Sequence, residues 1–196
     1  MFRRALATAV LALAFNGPLQ ATPAFNANER NPPPSVALST FDRYELAPLV
    51  LADGLAAYKA NVIAQRYLQV DLEERIRKLV DARNAKAAGE TSRTLLLTPE
   101  IADVRFITGG KRLLFGGFGG KSWAVLKLHL VDKASGEVIA EPHFEQRAYG
   151  IFAGYSLGAA DKLMLARLAD MAASYLDANV ETPVGAPVAT AARAMD

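Results

Sequence analysis

Between Asn61 and Ala87 the apolar residues Ala64, Leu68, Leu72, Ile76, Leu79 and Val80 recur at intervals of three and four. That spacing predicts an amphipathic helix with one buried stripe. Arg66, Glu73, Glu74, Arg77, Lys78 and Asp81 fall largely off the stripe, and their mixed signs mark a solvated outer face. A second helix is predicted over about Ala159–Asn179, burying Leu163, Leu165, Ala166, Leu168, Met171, Ala172 and Leu176.

Elsewhere the period drops to two. Tyr44–Ala52 reads as a first strand with Tyr44, Leu46 and Val50 on one face, and Pro48 confines it to an edge or a bulge. Thr94–Thr108 reads as a long strand bent at Pro99, closed by Gly109-Gly110. Trp123–Val131 and Glu137–Arg147 alternate on either side of the turn Asp132–Gly136. Pairing Leu130 with Val138 sets Leu126 against Pro142 and Lys127 against Glu141, building one apolar face. The same register puts Val125 opposite His143 and His129 opposite Ile139.

Strand, helix, three strands, helix: the order predicts an α+β domain with helices on one face of a mainly antiparallel sheet of about four strands. Order alone leaves open whether the first strand pairs in parallel across the helix. The domain is expected over residues 41–180. Residues 25–40, with Pro32-Pro-Pro34 and no periodicity, read as a linker, and 181–196, rich in Ala and Pro, as a disordered tail.

Composition changes the picture at the amino terminus. Arg3-Arg4, the apolar run Ala5–Phe15, the break Gly17-Pro18 and small residues at Ala21 and Ala24 predict a secretory signal over 1–24. The apolar run is too short to span a bilayer, which takes about 20 residues. The formal charge of +2 follows that segment: removing Arg3 and Arg4 from the 22 basic residues leaves 20 against 20 acidic ones. A neutral body lacks the basic face that nucleic-acid binding requires. With no cysteine there is no thiolate chemistry, no disulfide and no lipobox acylation.

Four stretches invite a chemical reading. Gly154-Tyr-Ser-Leu-Gly158 matches a nucleophile elbow, but both histidines, His129 and His143, precede Ser156. Capping of the following helix by Ser156 explains the stretch without catalysis. Gly116–Ser122 is one residue short of a phosphate loop, and a strand follows it where a helix amino terminus is needed. Glu141, His143, Glu145 and Arg147 share one strand face, a row suited to a hard metal or to plain solvation. The fourth feature is a pair of glycine segments carrying large hydrophobes. Phe115, Gly116, Gly117, Phe118, Gly119 and Gly120 form one, and Ile151, Phe152 and Tyr155 belong to the other. They are the candidate contact residues for another molecule.

The runs Pro99–Phe106, Lys111–Ser122 and Leu130–Glu141 together resemble a domain-of-unknown-function family of small exported bacterial envelope proteins. The likeness spans about 41–176 and is most specific at the glycine loop and the hairpin after it. Many members are outer-membrane lipoproteins, and the missing cysteine separates this chain from them. The topology is also similar to the soluble domain of the curli-secretion lipoprotein and to the amino-terminal domain of the Tol-system propeller protein. The family supplies no catalytic residues. These readings converge on an exported, periplasmic or outer-membrane-associated, unlipidated and non-enzymatic interaction module in envelope assembly or maintenance, without cofactor or metal. Its partner is expected to be an envelope protein or a membrane surface, not nucleic acid. A serine hydrolase using Ser156 and a metal binder using His143 with Glu141 or Glu145 are the alternatives.

Overall fold

A computed structural model describes residues 28–87, 93–106, 122–148 and 158–189. Its short first strand is β1 (Arg30–Asn31). Then come β2 (Arg43–Leu46), β3 (Val50–Leu51), α1 (Lys59–Asn84) and β4 (Thr94–Arg105). The chain continues through β5 (Ser122–Asp132), β6 (Val138–Ala140), β7 (His143–Ala148), α2 (Ala159–Ala178) and β8 (Ala186–Pro187).

The expected α+β class is what the structure shows. The main sheet runs β2-β4-β5-β6, with β3 also on β4 and β7 also on β5. It therefore has six strands in four ranks, not about four strands. Pro48 interrupts the first rank and Glu141-Pro142 the last, since proline has no amide for the ladder. β2 and β3 pair in parallel with β4, across α1, and every other pair is antiparallel.

Inward residues alternate as the sequence predicts: Leu95, Leu97 and Ile101 on β4, Leu126, Leu128 and Leu130 on β5, Phe144 on β7. Against them pack Leu68, Leu72 and Ile76 of α1 and Leu165, Leu168 and Tyr175 of α2. Phe144 and Tyr175 meet edge to face at 6.0 Å between centroids. Leu163 departs from expectation, being 47% exposed. The two helices run in the same direction: Tyr67 meets Lys162, Arg75 meets Asp170 and Arg83 meets Glu181. At the start of α2 the amide of Gly158 donates to Asp161 Oδ2 at 3.3 Å.

The hairpin keeps Leu126, Leu128, Leu130 and Phe144 inward but slips its register by two residues, and β6 turns over, with Ile139 buried and Val138 53% exposed. Leu126 faces Phe144 and Lys127 faces His143, instead of Pro142 and Glu141. The turn explains the difference. Asp132 Oδ1 accepts from the Ala134 amide, Asp132 O from Gly136 N, and Asp132 N donates to Glu137 O. Gly136 takes φ +75° to close this turn, and a bulge at Leu130–Val131 adds the remaining offset.

The expected linker and tail are also corrected over the described residues. β1 pairs with β8, and the two together strap the free edge of β7. The Asn31 amide donates to His143 O at 2.8 Å and accepts from His143 N at 2.9 Å. Glu145 N donates to Val188 O, and Ser35 N to Ile139 O. At the opposite edge, Asn84 of α1 pairs with both peptide groups of Tyr44, at 2.9 and 3.1 Å. Side-chain amides thus cover both sheet edges, which removes the template for uncontrolled strand addition.

Candidate functional site

The nominated contact residues Phe115, Gly116, Gly117, Phe118, Gly119, Gly120, Ile151, Phe152 and Tyr155 lie outside the described residues, as does Ser156. Their anchor points do not. The first glycine segment joins Phe106 to Ser122, and the second joins Ala148 to Gly158. Arg105 pairs with Trp123, and Ser122 with Ala148, so the departing ends belong to three adjacent strands. Neighbouring strands sit about 5 Å apart. Both segments therefore leave one end of the sheet. α2 starts there too, directly after the second segment, and α1 starts there because β3 delivers the chain beside Ile101.

That end carries the single tryptophan on the face away from the helices. Trp123 is nearly buried. Its indole N–H donates to Asp103 Oδ2 at 3.1 Å, and the Arg105 guanidinium lies 5.1 Å from the ring centroid. A bulge between Ile101 and Asp103 turns both β4 residues onto this face. Arg147 stands opposite the ring on β7. The ring is thus a buried plate at the sheet end, held by Asp103 and stacked by the Arg105 guanidinium.

The row Glu141, His143, Glu145 does not form one site. With the register observed, Glu141 reaches His129, whose Nδ1 lies 2.8 Å from Glu141 Oε1. On the other side His129 Nε2 lies 2.9 Å from Glu100 Oε2. His143 instead stands 3.8 Å from Glu29, and its peptide is held by Asn31. Among the described residues no group of three or more His, Asp or Glu is arranged to hold a metal ion.

Flanked on both ring nitrogens, His129 joins β4, β5 and the β6–β7 connection. Partial burial opposes its charged form, but the carboxylates of Glu100 and Glu141, accepting from the ring, outweigh that and raise its pKa above the usual 6.5. A pKa raised on folding stabilises the protein fully below the unfolded value, and the gain is lost as pH rises through the folded one. The melting-temperature gap between wild type and His129→Gln should be widest near about pH 5 and narrow toward about pH 9. A gap independent of pH would mean that His129 is held without charge.

A groove of ≈ 830 Å³ runs along the β2 edge against α1. Leu46, Pro48 and Val70 give it apolar walls, with Arg66, Arg77, Glu45 and Glu73 at the rim. Gln69 Oε1 accepts from Leu49 N, and the Gln65 amide donates to Leu49 O at 2.6 Å. The glutamines complete the fold where Pro48 breaks the strand, leaving no reactive group in the groove. Sequence reading missed Asn31, Asn84, Gln65 and Gln69 because amides carry no periodic signal. Trp123 and Arg105 were readable as strand residues but not as neighbours.

No helix among the described residues is long and apolar enough to cross a membrane. No family model matches the chain, and no curated protein matches it. Among solved structures it is similar to the PelC dodecamer from Paraburkholderia phytofirmans, at 15% identity over 71% of this chain and 92% of that one, TM-score 0.36. It is also similar to the hypothetical protein CT253 from Chlamydia trachomatis, at 8% identity over 69% and 98% respectively, TM-score 0.37. At such similarity no activity, ligand or assembly state passes to this chain.

Proposed function

We propose that this is an exported, non-enzymatic interaction module of the bacterial cell envelope, which engages a partner through the two glycine segments. One observation carries the reading: Arg105, Ser122 and Ala148, next to which the segments depart or return, stand on three adjacent strands at one sheet end. The two glycine-rich stretches, with Phe115, Phe118, Ile151, Phe152 and Tyr155 among their residues, thus have their roots at one end of the sheet. Apolar surface concentrated at one place on a folded scaffold marks a contact site. The leader-like residues 1–24 support a role outside the cytoplasm.

Joint substitution of Phe115 and Phe118 by serine tests the proposal. Crosslinking in intact cells should lose the captured partner, while the melting temperature stays within about 2 °C of wild type. A fall of roughly 10 °C or more would instead assign both phenylalanines to the core.

A further inference from the structure

The two parallel helices divide their charge and their exposed apolar surface in the same way. Their amino-terminal halves, 59–70 and 159–168, contain Lys59, Arg66, Lys162 and Arg167 against one acid, Asp161, which is buried. Their carboxy-terminal halves, 71–84 and 169–178, contain six acids and four bases. Within the helices, the large apolar side chains standing exposed are Tyr67, Val70 and Leu163, all in the amino-terminal halves. Tyr58, immediately before α1, is 67% exposed. Lys162 joins the two helices at this level, its ammonium 4.5 Å from the centre of the Tyr67 ring.

Each helix supplies only part of this surface, α1 giving Lys59, Arg66, Tyr67 and Val70, and α2 giving Lys162, Leu163 and Arg167. Because the helices run in parallel, their cationic halves lie side by side, at the sheet end where both begin. The amino-terminal ends of their dipoles add positive potential there. Tyrosine and leucine interleaved with lysine and arginine match the boundary of an anionic bilayer. The rings enter the headgroup layer, and long cationic stems reach the phosphates. From this co-segregation we infer that the amino-terminal halves of α1 and α2 form a docking face for an anionic phospholipid surface.

The face consists of described residues outside the glycine segments, so it stands or falls separately from the partner proposed above. The test uses the protein recovered from cells after export, with vesicles of phosphatidylcholine alone or with about 30% phosphatidylglycerol. Wild type should sediment with the anionic vesicles at low salt and not with the neutral ones. Lys59→Glu with Lys162→Glu should weaken that binding at least tenfold, as should Tyr67→Ser with Leu163→Ser, both without loss of helical circular dichroism. Arg77→Glu with Lys78→Glu makes the same net-charge change in the other half of α1 and should leave binding within about twofold. Equal weakening by this control would reduce the effect to net charge and overturn the docking face. Equal binding to both vesicle types, or binding to neither, would also overturn it. Retained vesicle binding in the Phe115/Phe118 variant, with partner capture lost, would show two separate contacts.

Discussion

Asn179→Ala is expected to destabilise the folded protein by about 3 kcal/mol, the largest loss for any single polar side chain described here. Asn179 has no exposed surface. Its Oδ1 accepts from Val184 N at 2.7 Å and Gly185 N at 2.9 Å, while its amide donates to Tyr175 O at 2.7 Å. Its own carbonyl accepts from Leu38 N, which brings in the amino-terminal segment. Alanine would leave two donors without partners at a site closed to water, each costing about 1–3 kcal/mol if not resatisfied, while Tyr175 O keeps the Asn179 N–H at 3.2 Å. The two losses do not simply add, because segment 183–189 can lift and hydrate its own amides. Urea unfolding should show a lower midpoint with an unchanged slope. A shift worth under about 1 kcal/mol would mean that the turn holds without its asparagine.

Gly185→Ala should come close to that effect by a different route. Gly185 has φ +67°, and a Cβ placed on it would sit 2.3 Å from Asn31 O and 3.1 Å from the Pro32 carbonyl carbon. The left-handed backbone alone costs a non-glycine residue about 1–2 kcal/mol. The clash is with main chain, which cannot rotate aside, so β1 and β8 must separate. A total of about 3 kcal/mol is expected, or detachment of the strap with the sheet intact. Faster hydrogen exchange at the amides of Val188 and Glu145, which bond to Glu29 O and Val188 O, would report detachment. Two further glycines separate the contributions. Gly54 and Gly136 have φ of +79° and +75°, but a Cβ there meets nothing within 4 Å. Their alanine variants should lose only the backbone cost, about 1 kcal/mol. Equal losses at all three positions would remove the close approach to Asn31 as a cause.

Both results bear on what could be read from residues alone. Alternation and three-four spacing located both helices, every rank of the main sheet and the inward faces of β5 and β7, but set Val50 and Val138 inward where both stand exposed. These signals follow from burying one side of an element, and a sequence displays them directly. The hairpin slipped, and β6 turned over, because the register is decided at Asp132–Glu137 by an Asx turn and a bulge, which the alternation along the strands does not reveal. The strap escaped notice because Asn31, Pro32 and Asn179 hold backbone groups, not one another's apolar surface. A segment organised that way has the composition of a loop. Leu163 was misplaced because a 20-residue helix over part of a sheet leaves its first turns uncovered on the outer side. The nominated contact segments were legible as composition. That they depart from adjacent strands followed from the meander, whereas the cationic face required knowing that the helices are parallel.

The pairing of Arg30 with Pro187 carries one more consequence. It brings the described chain in and out side by side, on the flank of β7, away from the groove at the β2 edge. A fluorophore on either side of this junction would sense nearly the same surroundings. A short bridge between the two extremities, with new ones opened at Ser135-Gly136, should yield a permuted protein that keeps the same architecture. The molecule can thus be held from one flank with its glycine-bearing end left unencumbered.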